Sequence, residues 1–248
     1  MGPEYDDIKI SKGREMADRM GLRFDFWNQL NTEFMARYLP WYVDAAKLTV
    51  TIAFWGILFS LAVGLVCSVI RYYRVPVLHR IVAVYIELSR NTPLLVQLFF
   101  LYFGLPKLGI VLSAESCAII GLTFLGGSYM AESLRSGLES IEKSQIESAQ
   151  SLGMGQMLMM KEVIFPQALA ISVPGVCANM IFLIKETSVV SGIALADLMY
   201  VTKDLIGLYY ETDEALLMLV IAYLIILLPV SILASVLERR LRYAGFGN

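Results

Sequence analysis

Three stretches, Leu48 to Ile70, Val163 to Ile184 and Ala215 to Leu237, contain no Asp, Glu, Lys or Arg at all, and charged residues (Lys47, Arg71, Glu214, Glu238) bound them closely. An α-helix rises about 1.5 Å per residue and the hydrocarbon of a bilayer is roughly 30 Å thick, so a spanning helix needs about 20 such residues. Each run is long enough. Two further runs are interrupted by charge: Ile81 to Pro106 contains Glu87 and Arg90, and Leu112 to Ala131 contains Glu115. Counting them gives an all-α membrane protein with five spans and its two ends on opposite sides. A content of 57% apolar and 17% charged residues fits no water-soluble domain of this length.

Arginine and lysine in short connections stay preferentially on the cytoplasmic side. Arg71, Arg74 and Arg80 lie between the first two runs, and Arg239, Arg240 and Arg242 follow the last, whereas Lys203 is outnumbered by Asp197, Asp204, Glu211 and Asp213. This predicts a cytoplasmic C-terminus and an N-terminus outside. Residues 1–46 are expected to form an extracytoplasmic leader; they have no long apolar core, so a cleaved signal peptide is not expected. Its Phe24, Phe26, Trp27, Phe34, Tyr38 and Trp41 predict a helix lying in the interface. Residues 47–242 form the transmembrane domain and 243–248 a cytoplasmic tail.

Several functions are excluded. A net charge of -2 gives no basic field for nucleic acid. Cys67, Cys117 and Cys177 lie far apart in apolar stretches, and His79 is the single histidine, so neither a disulfide framework nor a metal site is expected. No G-x-x-x-x-G-K-[ST] loop occurs, so the chain is not expected to hydrolyse ATP or to carry a cofactor itself. No inverted repeat of the secondary-transporter kind is visible.

A polar segment separates the third and fourth runs. Ser144 and Glu147 have the spacing of a capping box, and Gly153 supplies a left-handed stop, which predicts a short helix over Gln145 to Leu152 with Ile146, Ala149 and Leu152 near one face. Eight residues are too few to be helical alone, so the helix must pack on its own bundle or on a partner. In the first run Gly56, Ser60, Gly64 and Ser68 recur every fourth position. This stripe admits either a subunit contact or close packing within the chain.

Charged and polar groups inside spans face a partner or a wet cavity. Glu87 and Arg90 are three apart and predict an ion pair. Thr92 and Pro93 follow, as either a gate hinge or a plain bend; Gln97 is a pore-lining candidate that could equally bond a neighbouring helix. Pro174 and Pro229 add expected bends. Ser172, Asn179 and Glu186, spaced by seven, share a face that either lines a path, with Glu186 receiving an ammonium group, or leaves Glu186 paired with Lys185 or another helix.

The run Glu147-Ser148-Ala149-Gln150-Ser151-Leu152-Gly153, followed by Val163-Ile164-Phe165-Pro166, resembles the E-A-A-x3-G-x9-I-x-L-P signature of permease subunits of ATP-binding-cassette importers. Ser148, Val163 and Phe165 depart from the pattern. The segments from Glu87 to Pro106 (containing Arg90-Asn91-Thr92-Pro93) and Lys185-Glu186-Thr187-Ser188-Val189-Val190-Ser191 are similar to the polar amino acid branch of that family. The resemblance implies a type I, MetI-like bundle in which the short helix, within a segment 138–166, is the coupling helix. It implies that Ile146 and Leu152 enter a groove on an ATPase, that Ala149 permits close approach, and that Glu147 and Gly153 hold the shape. It further implies two ATPase subunits binding ATP and magnesium, a second permease subunit, an extracytoplasmic amino acid binding protein, the bacterial inner membrane as location, and Asn179 and Glu186 near the substrate; Ser188 is a further candidate for the substrate pathway. The rival readings are an ion-driven secondary transporter and a purely structural membrane subunit.

Overall fold

The computed structural model describes residues 30–245, with side chains to Arg240. Helix α1 (Thr32–Tyr72) opens on Asn31, whose side chain accepts from the Phe34 amide at 2.9 Å. Then follow α2 (Leu78–Arg90), α3 (Leu94–Leu108), α4 (Ala114–Glu139), α5 (Lys143–Ser151), α6 (Gln156–Ile193), α7 (Leu198–Tyr209) and α8 (Thr212–Gly245). Among the described residues α1, α4, α6 and α8 are long and apolar enough to cross a membrane. The expected count of five spans is therefore not confirmed by these four. The second run is divided into α2 and α3, each too short to cross alone.

The division falls at Asn91-Thr92-Pro93, and its cause is local. Pro93 has no amide to continue the ladder and takes an extended conformation, φ -58° and ψ 139°. Breaking a helix frees carbonyls that hydrocarbon cannot satisfy. Here side chains do so: Thr92 Oγ1 donates to the Leu88 carbonyl at 2.8 Å, and Gln97 Nε2 to Ser89 at 3.1 Å and to Thr92 at 3.0 Å, while Asn91 Nδ2 adds a second bond, at 2.8 Å, to the Glu87 carbonyl that already accepts from the Asn91 amide. Pro40, Pro174 and Pro229 have no such company, and the helices holding them stay continuous. Two helices instead widen locally to π geometry, over Phe100–Gly104 and Met160–Ile164, each shortly before a proline (Pro106, Pro166) that denies the preceding turn an amide.

The core is the seam between α1 and α4, the most extensive helix contact among the described residues. Gly56, Ser60 and Gly64 press against Leu122, Gly126 and Met130, and Ser60 Oγ donates to the Leu122 carbonyl at 3.1 Å. A methyl group at Gly64 would land on Met130, and one at Gly126 on Ser60. The small-residue stripe therefore serves contact within the chain. Cys67, Cys117 and Cys177 are buried packing residues.

Residues 32–46, expected as part of a separate leader, continue unbroken into the first span. Phe34, Tyr38 and Tyr42 are buried against Leu198, Val201 and Leu205 of α7 and Met218 of α8, so this stretch is no free interfacial helix. Phe24, Phe26 and Trp27 lie outside the described residues. The boundary expected at 243 falls inside α8.

Candidate functional site

Two features stand at the end of the bundle that carries α5: a short capped peg and a charged recess. The peg is α5 itself. It starts two residues earlier than the capping box predicted, at Lys143, with Glu142 as its cap and no side-chain bond to the first turn. Ser144 Oγ instead donates to Glu142 Oε2 at 3.1 Å, and Glu147 stays exposed. The expected stop is present in full. Gly153 has φ 76°, its amide donates to the Gln150 carbonyl at 2.9 Å, and the Met154 amide donates to Ala149 at 3.1 Å. These paired bonds are the Schellman arrangement, which only a residue tolerant of left-handed geometry closes without strain.

The faces of the peg differ from the expected ones. Ala149 is buried against Leu138, Ile141, Met159 and Ile164, with Ile146 partly buried beside it. Leu152 points the other way and is 82% exposed, as is Met157 just beyond. Ile146, Ala149 and Leu152 thus do not form one outward stripe. The hundred degrees per residue that put them together on a long helix fails here, because Leu152 already belongs to the cap rather than to the last turn.

The recess lies between the end of α2, the last turns of α4 and the middle of α6, with a volume of about 500 Å³. Its charges converge on Glu132. Arg135 Nη2 reaches Glu132 Oε2 at 2.8 Å, Arg71 Nη1 reaches Glu132 Oε1 at 3.3 Å, and Arg90 Nη1 stands 4.0 Å from Glu132 Oε2. Arg135 also binds Glu139 at 2.6 Å. Arg90 lies over the Tyr129 ring, 5.1 Å from its centre. The predicted Glu87–Arg90 pair is absent: Glu87 accepts from Asn91 Nδ2 at 3.1 Å while Arg90 turns across to α4. Sequence reasoning missed Glu132 and Arg135, which stand just past the apolar run ending at Ala131. Continuing the helix by about two turns, as α4 does to Glu139, was the signal that would have found them.

The face predicted on α6 is partly reproduced. Ser172 is buried, donates to the Ala168 carbonyl at 2.7 Å and lines the recess. Asn179 Nδ2 donates to Ser133 Oγ at 2.9 Å, which joins it to the same wall. Glu186 and Ser188 lie two turns and more beyond, roughly 20 Å along the helix from Ser172, and do not line the recess. Glu186 is partly buried, and among the described residues no ion pair joins it to Lys185. Gln97, a pore-lining candidate, is committed to the break between α2 and α3, as are Thr92 and Pro93.

The opposite end is tied by buried and part-buried bonds. Tyr42 OH donates to the Ala215 carbonyl at 2.8 Å and stands 2.9 Å from Thr202 Oγ1, and the Asn31 amide donates to Glu214 Oε1 at 2.8 Å. Asp197, fully buried, caps α7 by accepting from the Tyr200 amide at 2.8 Å. Burial pushes its carboxyl up to about 6, against the pull of the α7 amides and of Lys203.

Comparison with known proteins places this arrangement. A family described as the binding-protein-dependent transport system inner membrane component matches residues 56–243. The chain is 38% identical over 179 residues to a probable amino-acid ABC transporter permease protein of Vibrio harveyi, covering 71% of this chain and 78% of that one. It is 38% identical over 167 residues to a probable glutamine ABC transporter permease protein of Bacillus subtilis, covering 67% and 77%. Among solved structures, an amino acid ABC transporter crystallised with histidines superposes with a TM-score of 0.80 at 29% identity, over 86% of this chain and 99% of that one. An inward-facing methionine transporter shares the fold, with a TM-score of 0.63 at 19% identity.

Proposed function

Because the chain belongs to the binding-protein-dependent inner membrane component family, as a permease subunit of an ATP-binding-cassette importer, we propose that it carries a polar amino acid inward and that α5 is the element through which a separate ATPase drives it. A permease of this kind is a multi-pass membrane subunit and no enzyme; it works with ATPase subunits and a second permease subunit. The end that carries α5 faces the cytoplasm, as the arginines flanking the first and last spans favour, and the N-terminus lies outside. ATP and magnesium belong to the two ATPase subunits. An extracytoplasmic binding protein delivers the substrate to the opposite end, where α7 and the start of α8 lie.

The observation that carries the coupling role is the Schellman cap. It fixes a short helix whose inner face, Ile146 and Ala149, is seated on the permease, and leaves Leu152 projecting for the ATPase groove. Ala149 then permits close approach to the chain's own bundle, not to the ATPase. Glu147 is exposed on the outer flank, and Gly153 closes the end. The recess walled by Ser172 and reached by Asn179 lies on the substrate path, and Glu186 and Ser188 mark the part of that path nearer the outside. The break held by Gln97, Thr92 and Pro93 is the hinge of the gate, with Glu87 on its α2 side and Arg90 at its edge.

The test is reconstitution. The permease, co-expressed with its genomic ATPase neighbour and placed in liposomes with the binding protein inside or outside, is expected to accumulate radiolabelled glutamine or another polar amino acid only when ATP is present on the α5 side. Accumulation driven by an ion gradient with no ATPase would overturn the proposal.

A further inference from the structure

The charge arithmetic of the recess singles out one group. Three guanidiniums (Arg71, Arg90, Arg135) meet two carboxylates (Glu132, Glu139). Arg135 and Arg71 each make a hydrogen bond to a carboxylate, and Arg135 makes bonds to both. Arg90 makes none: among the described residues its nearest carboxylate oxygen is at 4.0 Å, and its remaining contact is the face of Tyr129. Its side chain is 42% exposed, toward the recess. Within a span, a guanidinium without a bonded anion is costly, and such groups face a wet cavity or an anionic ligand.

We propose that Arg90 receives the α-carboxylate of the transported amino acid. A guanidinium offers two parallel N–H donors that match the two oxygens of a carboxylate, a geometry a lysine or an amide cannot reproduce. The recess also holds what the rest of an amino acid needs. Ser133 and Ser136 line it with hydroxyl oxygens that can accept from an ammonium group, and Asn179, off the lining, donates its amide nitrogen to Ser133. Its volume of about 500 Å³ lies within the roughly 300–1,000 Å³ range of small-molecule sites. The single surplus positive charge accepts one carboxylate and resists a second cation, so neutral and acidic side chains are admitted ahead of lysine or arginine. Arg90 is also the last residue of α2 before the break at Asn91, so a carboxylate there joins the ligand to the hinge.

This assignment rests on the reading of the recess as part of the substrate path. Its test measures binding to the full permease–ATPase complex in nanodiscs, without binding protein, for the twenty proteinogenic L-amino acids and their α-amides. The amides keep the side chain and ammonium but lose the carboxylate. In the native complex the preferred amino acid is expected to bind about tenfold or more tightly than its own amide. Arg90→Gln is expected to remove that ratio by weakening the acid alone, and Arg90→Lys to restore part of it. A merely structural Arg90 would weaken acid and amide together and leave the ratio intact, which would overturn the proposal, as would a native complex that binds none of the forty probes. Basal ATP hydrolysis and retention of the ATPase report on the importer assignment separately. If they persist while acid and amide bind alike, only the role of Arg90 falls.

Discussion

The two ends of this bundle are held by different physics. At the α7 end the ties are directional and wholly or partly buried: Tyr42 to Ala215 and Thr202, Asn31 to Glu214, and Asp197 at the cap of α7. Removing one partner there strands a polar group away from water. At the α5 end the ties are partly hydrated charges around Glu132, several arginines sharing one acid, and a peg whose outer side exposes Leu152. Such ties exchange partners at low cost. The first end holds α1, α7 and α8 as one body, and the second yields more readily, as the proposed coupling through α5 requires.

The contrast is broken most directly through pH. The Asp197 carboxyl is raised by burial to about 6, with Lys203 pulling against that rise, and its Oδ2 has no partner among the described residues. An acid whose folded pKa is raised contributes stability that is complete below its unfolded pKa, near 4, and is lost as pH rises through about 6. The loss is on the order of 3 kcal/mol. Thermal unfolding in detergent, followed between about pH 4 and pH 7, should therefore show the native chain losing stability relative to Asp197→Asn, which still caps α7 but does not titrate. Parallel curves would mean that the α7 end is wetter and looser than its hydrogen bonds imply.

What could be read from the residues follows the same division. The spans were legible because charge-free runs of that length have one stable environment, and the stop at Gly153 because only glycine fits a left-handed C′ position cheaply. The start of α5 was not legible. Ser144 and Glu147 have capping-box spacing, yet Ser144 bonds to Glu142 instead and the helix starts ahead of it. The Glu87–Arg90 spacing likewise permitted a pair, but Arg90 finds Tyr129 and Glu132 on α4, a choice set by tertiary packing at a distance of 42 residues in sequence. The division of the second span was half legible: Pro93 marked the place, but the side chains that satisfy the freed carbonyls decide between a bend and a break.

A smaller effect is expected at the peg. Replacing Gly153 by Val puts a β-branched residue at φ 76°, a strain of about 1–2 kcal/mol confined to the cap, where a Cβ meets no other atom within 4 Å. The protein should therefore remain folded and in the membrane, with a melting point near that of the native chain. ATP-driven uptake should fall roughly tenfold, because the direction in which Leu152 projects depends on that cap. Native uptake by this variant would remove α5 from the coupling path; loss of the folded protein would show that the α5 end is as rigid as the other.

The smallest effect distinguishes the ends most finely. Arg71→Gln removes one of the three guanidiniums around Glu132, and Arg71 and Glu132 side chains are each 25% exposed. Glu132 keeps Arg135 at 2.8 Å, and Arg90 at 4.0 Å is free to move closer. The cost should stay within about 1 kcal/mol, since a partly hydrated pair with a spare partner loses little when one member goes. Thermal unfolding of the variant measures it. A loss matching that expected from ionising Asp197 would mean the three arginines are separate locks and not interchangeable ones, and the α5 end would then lack the low-cost exchange of partners that a moving gate requires.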